Sequence, residues 1–474
     1  CSSQKKEGAY WYFGTFAGIH FNSIPPVPDF NGKISTPSAT SSYSSASGRL
    51  LFYSSDNQLF DGNHNLVESD LSLGGNVNSM FAAKVPFTNT YYLFQGAQLF
   101  PDNFFSFFYH KLDADSLTGT IKILTRKQLL IRNSLPLTLC LDHSNPYKKW
   151  IVGFSRPTQQ NESSKLRIYE LDSSGLKLIK QTDVNSSLIF AIPSPKSDLF
   201  ACLNLVSSNN KHVLFKFDKS TGDIKRLYAL NLPQSFFPSS TPVFSPNGKL
   251  LYCLGRRSSP FEISLFQYDI TSLDSNIAAN SGVKVFSSGT TDQNYLPFYS
   301  MQIGLDGKIY GLNSSANLID FQSLNQINCP DVRGVGCGVQ MNVFSLGGRS
   351  ASSQLPVLNQ TLFVNADKFQ AISDKIKICR GDSAELSAFG ASISSFIWSV
   401  NGSNTVLSTS SNYKVSPAQT TTYRVRGEGC NQTKDTTITI EVLPRPVANL
   451  GGNKTICAGK SVAITNPVNG NVRY

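Results

Sequence analysis

The chain has 474 residues, 40% of them hydrophobic and 15% charged, with a formal net charge of +11. That hydrophobic content excludes disorder for the bulk of the chain, and 34 Gly and 23 Pro beside 3 Met point to many short strands and turns. No apolar run approaches the ~18 residues of a membrane helix, and basic residues never run beyond pairs such as Lys5-Lys6, Lys148-Lys149 and Arg256-Arg257, so no nucleic-acid partner is expected.

The chain opens on Cys1, the position at which a bacterial lipoprotein carries its lipid, or simply the point where the sequence starts. Residues 1–9 are expected to be an N-terminal tether, with membrane contact only through a lipid on Cys1. From residue 10 to about 365 one phrase recurs: a turn, a basic or polar residue, then a strand with an aromatic. It reads Gly48-Arg-Leu-Leu-Phe-Tyr, Gly248-Lys-Leu-Leu-Tyr-Cys and Gly307-Lys-Ile-Tyr-Gly-Leu, with weaker copies around Asn89, Lys148 and Ser197. The steps between copies run from 41 to 59 residues, a period characteristic of β-propeller blades. A second strand and a polar turn follow, as in HVLFKFDKSTGDIKRLYAL and ISLFQYDITSLD, and are expected to give the outer half of a four-stranded blade. A final strand, Gln360 to Asn365, is expected to pair with Trp11–Gly14 and close a ring of seven blades over residues 10–365.

From about Asp367 the pattern changes to short alternating strands containing Cys379, Trp398 and Cys430 in order. That order predicts an immunoglobulin-like β-sandwich over 366–443, with a Cys379–Cys430 disulfide across it. KIKICRGDSAELS recurs as NKTICAGKSVAIT, so residues 444–474 are expected to begin a second, incomplete repeat, leaving Cys457 without a partner and the natural protein continuing beyond Tyr474. Arg380-Gly381-Asp382 falls in the turn of this repeat. Cys329 and Cys337 bracket a Pro/Gly loop short enough for a local disulfide. Cys140, Cys202 and Cys253 lie in apolar strand-like runs and are expected to be buried. No Cys-x-x-Cys pair is present, so no zinc site is expected.

Several segments are similar to one family. Trp11-Tyr-Phe-Gly-Thr-Phe-Ala-Gly18-Ile-His20-Phe-Asn22, Gly48-Arg-Leu-Leu-Phe-Tyr53, Asp61-Gly-Asn-His64 and Gly336-Cys337-Gly-Val-Gln340 resemble the gliding-motility-associated, or type IX secretion (type B sorting), surface proteins of the Bacteroidetes. The resemblance implies an N-terminal propeller-like domain, then PKD or immunoglobulin-like repeats and a C-terminal sorting domain. It also implies an extracellular or outer-membrane surface location in a Gram-negative bacterium. Asp115-Ser-Leu, Asp382-Ser-Ala and Asp435-Thr-Thr match the three-residue O-glycosylation pattern of such organisms.

Catalytic motifs are lacking. The five histidines, His20, His64, His110, His143 and His212, stand in no metal-ligand spacing, and there is no Gly-x-Ser-x-Gly elbow or phosphate-binding Gly loop. His20 and His64 are expected to pack beside aromatic strands. Asp113-Ala-Asp115-Ser-Leu-Thr-Gly119 lacks the later ligands of a calcium loop and is read as a hairpin turn. No catalytic, cofactor-binding or metal residue is assigned, and no cofactor is expected. The reading is an all-β, non-enzymatic surface protein whose propeller binds a protein or glycan and whose sandwich repeats form a stalk. One alternative is a subunit or cargo of the outer-membrane secretion or gliding machinery. Another is a propeller polysaccharide hydrolase using axial carboxylates from among Asp56, Asp61, Asp102, Asp142 and Asp306.

Overall fold

The computed structural model describes residues 6–23, 25–72, 77–99, 104–132, 134–155, 164–184, 187–205, 210–233, 235–272, 274–289, 295–315, 321–351, 354–363, 369–390, 393–430, 432–444 and 455–461. Chain contacts divide it into two units: 1–369 with 389–394 and 429–432, and 370–388 with 395–428 and 433–474.

The first unit is an array of seven antiparallel sheets, each built from consecutive strands, which is the blade pattern of a β-propeller. Blade 1 has three strands, Tyr10–Phe13, Ala17–His20 and Val27–Pro28. Blades 2, 3, 4, 5 and 7 have four strands each and begin at Ser41–Ser44, Val77–Lys84, Ser134–Asp142, Ser187–Pro193 and Tyr295–Ile303. Blade 6 has five, its first position split between Phe237–Pro238 and Val243–Phe244. First strands touch from blade 1 through blade 5 and again between blades 6 and 7, so they form the inner wall and the later strands lie outward.

The recurring phrase falls at one place throughout: residues 48, 89, 148, 197, 248 and 307 all lie in the turn between the first and second strands of blades 2 to 7. Gly48, Gly248 and Gly307 take φ of 90°, 72° and 75° there, where a side chain would be strained. The phrase strand and its successor are thus the middle pair of each blade, not its outer half. The turn at Asp115 is a hairpin, its carboxylate accepting Leu117 N–H and Thr118 Oγ1–H, both at 2.8 Å.

The array closes differently from expectation. Gln360–Phe363 is a 3₁₀ turn, not a strand. The segment before it is tied to the first strand of blade 7 by Leu355 N–H to Ser300 Oγ (3.1 Å) and to the residue just before that of blade 2 by Val357 N–H to Thr40 O (3.2 Å), so it fills space beside the inner wall instead of extending blade 1. Closure comes from Thr15, which forms β-bridges to Ser35 and Ser350. Beside it, fully buried Trp11 packs on Phe21 (4.8 Å) of blade 1 and edge-on against Tyr310 (5.6 Å) of blade 7. Outermost strands are polar on one face. Ile121–Ile131 alternates half-buried with exposed positions, and Lys122, Arg126, Lys177, Lys180, Lys225, Arg226 and Lys284 are exposed on the outer strands of blades 3 to 6.

In the second unit a three-stranded sheet (Gln370–Ser373, Ala384–Phe389, Asn412–Val415) accompanies a four-stranded one (Lys377–Cys379, Gln432–Leu443, Thr421–Gly429, Ser395–Val400). Trp398 is fully buried and donates its indole N–H to Ser410 O at 2.9 Å.

Both expected disulfides are corrected. Cys329 pairs with Cys430, at a Cα separation of 5.5 Å, and Cys337 and Cys379 are thiols. Cys379 lies beside Leu443 in a parallel pair, whereas Cys430 sits in the turn before Gln432. At about 3.3 Å per residue, a whole strand length separates them. Cys337 is turned inward and fully buried against Tyr252, leaving Cys329, its backbone partner at 2.9 Å, free to reach Cys430. The bridge spans 101 residues of sequence, a loop length for which restriction of the unfolded chain contributes about 4–5 kcal/mol. Peptide mapping after alkylation, without reduction, should recover a Cys329–Cys430 cross-linked peptide and alkylated Cys337 and Cys379. A Cys379–Cys430 peptide would refute the pairing.

Two buried imidazoles make the fold acid-sensitive. Gln95 donates its amide to Asp56 O, so its Oε1 accepts His110 Nε2–H (3.1 Å). His212 Nε2 donates to Ser240 O (3.0 Å). Burial pushes both pKa values down to about 4, against ~6.5 in an unfolded chain. Between those values the unfolded chain binds protons that the folded one does not, so stability present above pH 6.5 is lost as pH falls towards 4. The urea midpoint should fall between pH 7.5 and 4.5, and His212→Leu should show a smaller fall.

Candidate active site

Three of the segments singled out in the sequence meet in one polar cleft of roughly 450 Å³ between blades 1 and 2. Blade 1 supplies Tyr10, Asn22, Asp29 and Asn31, blade 2 supplies the Ser47–Leu50 turn, Gly62 and His64, and Lys6 completes the lining. The Gly48 turn is locked to the end of the opening motif. Asn22 Nδ2 donates to Gly48 O at 3.0 Å, and a Cβ on Gly48 would strike Asn22 Oδ1 and come within 3.0 Å of the Lys6 stem.

His64 is held in a left-handed conformation, φ 65°, which a non-glycine residue adopts only when its surroundings enforce it. Asp61 does so. Its carboxylate accepts Asn63 N–H and Asn65 N–H, both at 2.9 Å, and Asn65 Nδ2–H at 3.1 Å. The imidazole stands edge-on to Tyr12, with centroids 5.8 Å apart, and its Nδ1 lies 3.1 Å from the Tyr53 hydroxyl. Tyr53 is fully buried, stacks on Phe60 at 5.0 Å and accepts Lys33 N–H at 3.2 Å. Tyr12 donates to Asp29 Oδ2 (3.1 Å), whose Oδ1 accepts Asn31 N–H (2.9 Å).

Burial, aided by Lys33 and opposed by Asp29 and Asp61, holds the His64 pKa below its ordinary value, so the ring is neutral at pH 7. Burial also lowers the Lys6 pKa, and burial together with Asp29 raises that of Tyr12. Among the described residues nothing hydrogen-bonds His64 Nε2. The site therefore offers an anchored, neutral imidazole with one nitrogen available for proton exchange, beside an amine, a carboxylate and two side-chain amides.

The other expected residues lie elsewhere. His20 packs on Tyr10 at 5.7 Å, and His143 stacks on Trp150 at 4.5 Å and pairs with Glu170 at 3.3 Å. Asp56 accepts from Thr36, Asp142 pairs with Lys149, and Asp306 is buried against Tyr310. Among the described residues no carboxylate lines the cavity between the inner strands. Asp102 and Cys1 lie outside the described residues. Among those described, no cluster of three potential ligands could hold a metal ion. Sequence reading did not pick out Lys6, Asp29 or Asn31, and the one signal for them was the Asp29-Phe-Asn31-Gly32 turn.

No family model and no curated protein matches the sequence. Among solved structures, similar folds include candidate 6-phosphogluconolactonases from Bacteroides uniformis (14% identity, 67% of this chain and 91% of that one, TM-score 0.42) and Bacteroides fragilis (13%, 75% and 99%, 0.44). A third is the periplasmic gluconolactonase of Pseudomonas aeruginosa (12%, 71% and 92%, 0.33). Likeness at this level concerns the propeller fold alone. All three are described as enzymes, which runs against the expectation of a non-enzymatic surface binder, while a likeness of this strength carries no activity over to this chain. Nothing in these comparisons bears on secretion, gliding or PKD repeats.

Gly48→Ala should cost at least ~1–2 kcal/mol, because it forces a side chain into the left-handed region against Asn22. The loss should appear in urea unfolding, whereas Gly334→Ala, where a Cβ meets nothing within 4 Å, should cost only the backbone part.

Proposed function

We propose that this chain is a propeller hydrolase whose active site is the cleft between blades 1 and 2, with His64 as general base. The observation that carries the reading is the anchored imidazole: Nδ1 fixed on Tyr53, a left-handed backbone enforced by Asp61, and a pKa held down so that the ring is a base at neutral pH. In this reading His64 is the tautomer whose Nδ1–H donates to the Tyr53 oxygen, which leaves the lone pair on Nε2; Nε2 takes a proton from water, and the oxygen attacks a carbonyl carbon. The carbon–oxygen bond to the leaving alcohol then breaks, and the imidazolium returns the proton to that oxygen. Lys6 and the asparagine amides supply donors for a hydroxylated, acidic substrate, so a small lactone or ester is the favoured class. A glycosidic bond is less suited. Its hydrolysis uses two carboxylates, and Asp29, the one carboxylate among the described lining residues, is engaged by Tyr12 and Asn31.

The opening motifs support placing this enzyme at the outer surface of a Gram-negative cell, and the Cys329–Cys430 bridge suits an oxidising exterior. The paired sheets and buried Trp398 of the second unit support an immunoglobulin-like sandwich.

Hydrolysis of δ-gluconolactone and of p-nitrophenyl acetate by the full chain tests the reading. His64→Gln should lower kcat by about 10²–10⁴, and the acid limb of kcat/KM in the wild type should have its midpoint below pH 6.5, following the lowered His64 pKa. Activity unchanged in His64→Gln would overturn the assignment.

A further inference from the structure

Two aromatic side chains stand open to solvent on the propeller face that carries the Gly48 turn. Phe87 lies in the turn between the first and second strands of blade 3, and Tyr147 in the corresponding turn of blade 4. Antiparallel strands place all such turns on one face of the array. Phe87 is 74% exposed and Tyr147 63%, and their ring centroids lie 4.8 Å apart at an interplanar angle of 41°. Each ring follows a proline, Pro86 or Pro146, in a closed turn: Thr88 N–H donates to Val85 O at 3.3 Å, and Lys148 N–H to Asn145 O at 3.2 Å.

The Phe87 turn is unfavourable in two ways at once. Its φ of 58° belongs to a turn position that ordinarily takes Gly or Asn, and a side chain of this bulk is strained there. Its ring is also left in water. In blades 2, 6 and 7 the positive φ of this turn falls on Gly48, Gly248 and Gly307 instead. Backbone strain of this kind is concentrated at ligand clamps, and here it holds an exposed ring against a second exposed ring from the next blade.

The surroundings select the ligand. Lys148 bonds Glu170 at 2.7 Å, Lys149 pairs with Asp142, and His143 lies 3.3 Å from Glu170, so the charges beside Tyr147 are matched and favour an uncharged ligand. Two rings offer at most about 300–500 Å², below the ~800 Å² per partner of a stable protein interface. The flanking residues are polar, Thr88 and Asn89 on one turn, Ser144 and Asn145 on the other. Asn145 is exposed; its Oδ1 accepts Tyr147 N–H at 2.9 Å, and its Nδ2 donates to nothing among the described residues. Aromatic faces bordered by amides and hydroxyls match a pyranose, whose C–H bonds stack on a ring while its hydroxyls bond the edge.

We infer that Phe87 and Tyr147 form a stacking site for a neutral sugar unit, with Asn145 and the Tyr147 hydroxyl at its hydrogen-bonding edge. The site holds a sugar without acting on it, is separate from the His64 cleft, and does not depend on the hydrolase reading.

Calorimetric titration of the full chain with cellohexaose and with maltohexaose tests the inference, with sorbitol as an open-chain control and a thymidine decanucleotide as a probe for stacked bases. At least one hexasaccharide should bind saturably at one site, and sorbitol should not. Phe87→Gly removes the ring and relieves the left-handed strain. Its urea midpoint should therefore equal or exceed that of the wild type, while its affinity for the same hexasaccharide falls about tenfold or more. Tyr147→Ser should weaken binding similarly. A ring that only supported the fold would give the opposite result, a lower midpoint with unchanged affinity. Saturable binding of neither hexasaccharide, unchanged affinity in Phe87→Gly, or tighter binding of the decanucleotide would overturn the inference.

Discussion

Everything in the blade-bearing unit depends on how its two ends are joined. Each blade packs only on its neighbours, so an open array would expose the apolar faces of the first and last members. The junction here is unusual in composition. Blade 1 has three strands and gains none from the chain end. It is held by a backbone bridge from Thr15 to Ser350 and by Trp11 wedged against Phe21 and Tyr310. One indole thus substitutes for much of a missing ladder, and an aromatic of this size removes some 150–250 Å² from water when buried.

Blade 1 so fixed becomes one wall of the polar cleft. The stack of Tyr12, Tyr53 and Phe60 continues from that wall into blade 2, with neighbouring centroids 4.5 and 5.0 Å apart, and His64 rests on it. The same rings do two things: they pack the blade interface, and they keep water from stabilising a charged imidazole. The inner cavity differs from this arrangement: among the described residues its lining mixes apolar side chains with uncharged polar ones. Inner strands bend there. Phe190 and Phe298 have positive φ at register breaks in the first strands of blades 5 and 7, as β-bulges require.

The blade pattern was legible because the turn after each first strand needs particular chemistry, and Gly48, Gly248 and Gly307 announce it. The closure was not, because Gln360-Thr-Leu-Phe reads as a strand by composition while distant partners hold it and the residues before it: Gln302 bonds Gln360, and Ser300 and Thr40 bond Leu355 and Val357. Cysteine pairing failed for a related reason. Proximity in sequence joined Cys329 to Cys337, but the inward rotation of Cys337 towards Tyr252 is a packing decision. The site was half visible: Asp61-Gly-Asn-His64 stood out as a motif, yet its role required Tyr53 and Asp29, which lie on other strands and follow no local rule.

The outer strands give the +11 charge a different meaning from the one it first suggests. Each blade ends in an unpaired ladder edge, the kind of surface on which strands of separate molecules add to one another. Lys122, Arg126, Lys177, Lys180, Lys225, Arg226 and Lys284 project from those last strands. A second copy approaching edge to edge would bring like charges together as its backbone groups came into range. Arg126, Lys180 and Lys284 are ion-paired to Glu68, Asp223 and Glu262, so the resistance to fibre-like self-association falls mainly to Lys122, Lys177, Lys225 and Arg226.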